Sequence, residues 1–243
     1  MTIGGTEDVF CRLMGLAASE HTATLQRALD EQPDAFGMYG LTVGEGHGGP
    51  VAALIEEVSK EHQPSLKEIA ETNERLLALL DFAPFMPVAY GKVTTVSDVR
   101  DQLTNLNLNK IGKATELIHG RFEIGINYYD EREPEADGDQ SESRNYLRRL
   151  KSHQDATTAL QGEIASHLEK LTNADDQSII AFKKLVSKNP KIVFRAGVLL
   201  DRSSFDQSQL HSTLRQIVSD GEVDLQITGP FLPMSFVPGL ADL

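Results

Sequence analysis

The sequence predicts an α+β protein of two domains: an N-terminal ferredoxin-like α/β sandwich and a C-terminal α+β domain with helices and a short sheet. Three observations carry this expectation. Strand-length apolar runs alternate with amphipathic, helix-length segments in both halves of the chain. An acid-rich stretch at 130–143 separates the halves. Each half also holds an apolar run interrupted by prolines, Ala83 to Val93 (APFMPVAYGKV) and Phe231 to Val237 (FLPMSFV), which is too apolar for a solvated tail and must pack on something. The expected boundaries are 1–129 for the ferredoxin-like domain, 130–143 for an acidic linker and 144–243 for the second domain.

Taken in order, Asp8 to Leu16 reads as the first strand. Thr22 to Glu31 makes a short helix that Thr22 could cap, with Leu25, Ala28 and Leu29 on one face and Pro33-Asp34 breaking it. Phe36 to Val43 reads as a strand. The next residues, GEGHGGP, contain G-x-G-x-x-G at Gly44, Gly46 and Gly49. A phosphate-binding turn would open a helix there, and Val51, Leu54, Ile55 and Val58 have helical spacing. The other reading is a glycine-rich hairpin loop with VAALIEEV as its second strand. A lone motif of this kind is weak, and no βαβ repeat follows it in register, so the hairpin is favoured.

Ser65 to Phe82 carries the clearest helix signal. Ser65 and Glu68 have capping-box spacing, and Leu66, Ile69, Leu76, Leu77 and Leu80 form a stripe that includes Asn73. Phe85 to Val93 follows as a strand. A long helix is expected from a Ser97 cap to about Ile118, with Gly120 as its stop. Phe122 to Tyr129 alternates cleanly, with Phe122, Ile124, Ile126 and Tyr128 on one face. The first half thus reads β-α-β-β-α-β-α-β, a ferredoxin-like plan with an embellishment.

The stretch 130–143 holds seven acids and one arginine, net −6 of the chain's −13. Its composition is that of a solvated loop, and the glutamate an EF-hand needs at its twelfth position is absent. Helices are expected at Arg144 to Leu171 and Asp175 to Lys188. Lys191 to Leu200 is a near-continuous apolar strand, covered on both faces. A helix from Ser203 or Ser204 to Asp220 leads to the last strand, where Val223, Leu225 and Ile227 alternate with polar residues until Gly229-Pro230 ends it.

Composition narrows function. The chain has 243 residues and a net charge of −13, which disfavours a grip on nucleic acid or an anionic membrane surface. One cysteine, Cys11, excludes an internal disulfide framework and suits a reducing compartment. No run approaches the roughly 20 apolar residues of a spanning helix. The first residues, MTIGGTEDVF, lack the features of a signal peptide, so a cytoplasmic location is expected. None of the seven histidines has H-E-x-x-H spacing, and neither G-x-S-x-G nor a Walker motif occurs. Cys11 falls within an apolar strand, where a thiol behaves as a small hydrophobe. No catalytic constellation, metal site or cofactor site is expected, and the chain does not read as an enzyme.

In their order these stretches resemble the gas vesicle GvpL/GvpF family: GGPVAALIEEV, a helix into FAPFMPVAYGKV, a helix into GRFEIGINYYDE, then YLRRL, KIVFRAGVLL and ITGPFLPMSFV. That family places a proline-containing strand and an aromatic-glycine or Leu-Gly pair after a helix, and closes on Thr-Gly-Pro…Pro-x-Ser-Phe. The matching positions are Pro87, Tyr90 and Gly91, then Thr228, Gly229, Pro230, Pro233, Ser235 and Phe236. The resemblance runs from about Val9 to Val237, and the closing motif is its most specific part. Asn73, Ala89 and Met14-Gly15 depart from a histidine, an arginine and a Tyr-Gly that the family often shows there.

The resemblance implies an accessory or minor structural protein of gas vesicles. Such a protein binds the small hydrophobic shell protein, works with other gas vesicle accessory proteins, and assists nucleation or assembly of the shell. With the net charge of −13, no nucleic-acid or membrane partner is expected, and the expected location is the gas vesicle and the cytoplasm. The competing expectation is a small-molecule or nucleotide-binding protein that uses the loop Gly44–Gly49.

Overall fold

A computed structural model describes residues 9–89, 93–130, 143–173, 179–218 and 223–242, with the backbone alone at 143–150 and 240. The acidic stretch expected as a linker therefore lies almost wholly outside the described residues, as do Tyr90 and Gly91. Backbone packing divides the chain into two compact units, Met1–Glu123 with Phe231–Leu243, and Ile124–Pro230.

The first unit is built on β1 (Phe10–Ala18), α1 (Ser19–Glu31), α2 (Pro33–Phe36), β2 (Tyr39–Gly46), β3 (Gly49–Glu57), α3 (Leu66–Leu79) and β4 (Met86–Pro87). The strand order β2-β3-β1-β4, with β1 antiparallel to β3 and β4, is the ferredoxin-like arrangement expected. Two further helices, α4 (Val96–Leu103) and α5 (Leu108–Ile118), follow a two-residue strand β5 (Thr94–Thr95) that also pairs with β1. Leu13, Leu16, Val51, Ala53 and Ile55 of the sheet form one buried cluster with Val96, Val99, Leu103, Ile111 and Ala114 of these helices. The alternate residues Ala52 and Leu54 are also buried, and α1 packs on β1 and β3.

The glycine-rich stretch is a hairpin. Gly46 pairs with Gly49, which leaves His47 and Gly48 as a two-residue turn, and Gly48 and Gly49 have φ of 107° and 134°. Val51 to Val58 is therefore not a helix opened by a phosphate loop: residues up to Glu57 are strand β3, paired on both sides by β1 and β2. The other two glycines serve close packing. A Cβ on Gly44 would lie 3.1 Å from Leu103, and one on Gly46 would lie 2.9 Å from Val51 and 3.1 Å from the Leu106 carbonyl. The turn is pinned by His47 N–H donating to Leu106 O at 2.9 Å and by Leu108 N–H donating to His47 O at 3.1 Å. This removes the support for a nucleotide site at Gly44–Gly49.

Other local expectations shift for identifiable reasons. Pro33 opens the single turn α2 instead of only breaking α1, because proline at a first helical position loses no hydrogen bond. Phe36 consequently ends a helix, and the strand begins at Tyr39. Helix α1 starts at Ser19, and the Thr22 hydroxyl donates to Ala18 O within it instead of capping it. The capping box of α3 is present: Ser65 N–H donates to Glu68 Oε2 at 2.7 Å and Glu68 N–H to Ser65 Oγ at 3.2 Å. Leu66 is nonetheless 86% exposed, and Asn73 is exposed while Thr72 is buried. The long helix expected from Ser97 is two. Thr95 and Asp98 form the first capping box, and Asn107 accepts from Lys110 N–H to start the second. Short asparagine and threonine side chains bond the local backbone at 104–107 and interrupt the helix.

The second sheet has the order β7 (Ile179–Lys184), β8 (Ile192–Asp201), β6 (Arg121–Asp130) and β9 (Val223–Phe231). Strand β6, expected to complete the first sheet, is central in this one, and the packing boundary falls at 123/124 instead of 129/130. In the first sheet β4 and β5 already pair with β1, and β6 lies between β8 and β9 in the second. Helix α6 (Ser143–Thr172) packs on β7 and β8, and α7 (Gln207–Gln216) is capped by Asp206, not by Ser203 or Ser204. The Tyr128 hydroxyl donates to Leu214 O at 2.9 Å, and its ring meets Phe194 edge-on at 6.2 Å. The helix expected over Asp175 to Lys188 is replaced by β7, antiparallel to β8. The helical spacing of Ile179, Ile180, Phe182, Leu185 and Val186 was an accident of composition: Val186 is 91% exposed. The β-branched pair Ile179-Ile180 suits an open strand edge, and pairing outweighs the weak periodic signal.

Candidate functional site

The two proline-bearing segments were expected one in each half of the chain. The structure brings both to the first unit. Strand β9 does not stop at Gly229-Pro230: it runs through a cis Gly229–Pro230 bond to Phe231, and Gly229 takes a φ of 119° that a side chain would oppose. Thr228 donates its hydroxyl to Gly125 O at 3.3 Å within the second sheet. Beyond Phe231 the chain packs with the first unit, where Leu232 and Pro233 are buried and Met234–Phe236 form a short 3₁₀ turn. Val237 packs against the cluster shared by the first sheet, α4 and α5.

Ser235 anchors this segment. Its backbone N–H donates to Glu123 Oε2 at 2.9 Å and its hydroxyl to Glu123 Oε1 at 2.6 Å. Glu123 is only 7% exposed, so its charge is held by these donors. The alternation of β6 places Glu123 on its polar face but says nothing of its burial; the partner Ser235 lies 112 residues away. Lys110 Nζ also donates to the backbone carbonyl of Asp242, which ties the end of the segment to α5.

Pro87 is buried and pairs with Gly15 of β1, and Val88 N–H donates to Met14 O at 3.0 Å. Gly15 is required by this approach, because a Cβ there would lie 2.5 Å from the Phe85 ring and 3.2 Å from Met86 O. Val88 and Ala89, directly after Pro87, line a groove of ≈330 Å³ with Met234, Val237, Pro238 and Gly239. Of the motif positions, Pro87, Pro233 and Ser235 are thus structural elements around this groove, and Phe236 is half-buried beside it in sequence. Thr228, Gly229 and Pro230 lie on β9.

Among the described residues the groove's lining has no titratable side chain and offers apolar contact. Cys11 is buried, and burial, then the Glu57 and Asp98 carboxylates, push its thiol up to about 11, away from nucleophilic character. Among the described residues no group of three or more His, Cys, Asp or Glu could hold a metal ion, and no helix is long and apolar enough to cross a membrane.

Residues 10–238 match the family model described as gas vesicle synthesis protein GvpL/GvpF. No curated protein sequence matches. Among solved structures, the chain is similar to the gas vesicle protein GvpF from Anabaena sp. PCC7120, at 12% identity and a TM-score of 0.58, over 95% of this chain and 97% of that one. It is equally similar to GvpF from Microcystis aeruginosa, at 12% identity and a TM-score of 0.59, over 94% and 98% of the two chains. At this identity the two crystal structures speak for the fold, while the family follows from the model match along nearly the whole length: the chain belongs to the gas vesicle synthesis protein GvpL/GvpF family.

Proposed function

We propose that this chain is a non-catalytic accessory or minor structural protein of gas vesicles. In this reading it binds the small hydrophobic shell protein and assists nucleation or assembly of the shell, at the gas vesicle and in the cytoplasm. The observation that carries the reading is the family match over residues 10–238. The apolar groove beside Pro87 and Met234 supports it, because a helper of an aggregation-prone subunit needs a concave apolar surface on a highly charged body, and net −13 supplies the charge.

The test is a co-expression pull-down of the tagged chain against the major gas vesicle shell protein. Retention supports the function, and its absence overturns it. An Ala89→Glu variant asks about the groove separately: Ala89 is exposed at the groove wall, so a carboxylate there leaves the core intact and charges the apolar surface. Loss of retention in this variant, with unchanged circular dichroism, places the shell protein at the groove. Full retention keeps the function and moves the contact elsewhere.

A further inference from the structure

A second recess, unrelated to the proline-bearing segments, lies between α2 and α3 and encloses ≈470 Å³. Its floor is apolar. Phe36 is buried, and Phe82 meets it edge-on, with centroids 6.1 Å apart and planes at 64°. Phe82 is still 49% exposed, and Ala35 and Ala78 flank it. Phe82 thus leaves about half its surface open at the mouth of the recess, where an apolar group could cover it.

The rim has a definite sign. Among the described residues Asp34, Glu71 and Glu74 line the recess against one cation, Arg75. Arg75 directs Nη1 to the Met38 sulfur at 3.3 Å, and Glu71 faces Lys67 at 3.6 Å along the helix. Asp34 and Glu74 are exposed and make no ion pair among the described residues. The scaffold is preorganised, since α3 is fixed by its capping box and by the buried Leu76, Leu77 and Leu79.

We propose that this recess docks a segment of a partner polypeptide that presents an aliphatic or aromatic side chain flanked by lysine or arginine. The apolar side chain covers Phe82 and Ala78, and the basic neighbours meet Asp34 and Glu74. An acidic segment would bring like charges together at the same rim and is rejected. This assignment rests on the recess alone and does not depend on the gas vesicle reading.

The experiment is fluorescence anisotropy on the full chain with a fluorescein-labelled peptide in which a leucine and a phenylalanine lie between paired lysines. A second peptide carries glutamates in place of the lysines. Saturable binding of the lysine peptide, weakened by added salt, is expected. The double variant Asp34→Lys with Glu74→Lys should bind it about tenfold more weakly and should now prefer the glutamate peptide. Both positions are exposed, so this variant folds normally, which circular dichroism checks; Phe82→Ser should weaken the lysine peptide. Equal binding of the two peptides, no binding of either, or affinities unchanged by the charge reversal would overturn the proposal. Sedimentation of the chain alone adds one outcome: self-association abolished by the charge reversal would assign the recess to a second copy and overturn the partner segment.

Discussion

Replacing Ser235 by alanine tests whether the closing segment is held by Glu123. The substitution removes a 2.6 Å hydroxyl–carboxylate hydrogen bond and leaves the 2.9 Å bond from the Ser235 backbone N–H. Hydrogen bonds to charged groups contribute about 1.5–3 kcal/mol. Glu123 is 7% exposed, but Ser235 is half-buried, so water can reach the vacated space and the lower end of that range applies. The expected loss is about 1.5–2 kcal/mol in urea denaturation, or roughly 3–8 °C in melting temperature for a chain of this size. Glu123→Gln keeps the shape but removes the charge, and should cost about 1–2 kcal/mol by the same arithmetic. The double variant decides the argument, because groups in direct contact are non-additive: it should be more stable than the sum of the single losses predicts, by about 1 kcal/mol. Fully additive effects, or a Ser235→Ala loss under about 0.5 kcal/mol, would show that the segment is held without this pair, by the packing of Leu232 and Val237 and the Lys110–Asp242 contact.

Three further outcomes follow from the packing. Gly15→Ala places a methyl 2.5 Å from the buried Phe85 ring and should cost about 1–3 kcal/mol, partly recovered by adding Phe85→Leu; calorimetry checks both. Gly162→Ala, exposed within α6 with nothing within 4 Å of the new Cβ, should instead stabilise by about 0.5–1 kcal/mol, read from the urea midpoint. Cys11 has its thiol pushed from the ordinary 9.0 up to about 11, so the folded chain keeps a proton between those pH values that the unfolded chain releases. Its effect is therefore absent below pH 9, and stability falls as pH climbs from 9 to 11, a slope that Cys11→Ala should lack; the native thiol should also resist iodoacetamide at pH 8 until the chain unfolds.

Local chemistry was legible wherever it acts over a few residues. The Ser65–Glu68 capping box, the stop at Gly120 with φ 68°, and the strands β1, β6 and β8 follow from spacing and alternation. So does the hairpin reading of the glycine-rich stretch, although the spacing alone could not say why Gly44 and Gly46 are glycines. Their reason is the approach of Leu103, Arg100 and Leu106, some 60 residues on. Elements failed where two local signals were nearly equal. Residues 179–184 carry a weak helical spacing together with a β-branched pair, and pairing with β8 decides for the strand. The split of the helix expected at 97–118 was missed, because the periodic apolar stripe masked Asn107, whose side chain accepts from Lys110 N–H and starts a new helix.

The sequence by itself determined the α+β class, the ferredoxin-like order of the first sheet and, through the closing Thr-Gly-Pro…Pro-x-Ser-Phe pattern, the family. These are encoded in periodicities and ordered motifs that survive without knowledge of contacts. Only the tertiary structure decided that β6 serves the second sheet and that the closing segment returns to the first unit. It alone set Ser235 on Glu123 and placed Val88 and Met234 on one groove. The physical reason is that pairing energy and burial depend on which surfaces meet. Residues more than a hundred positions apart meet only once the sheets and helices have been assembled.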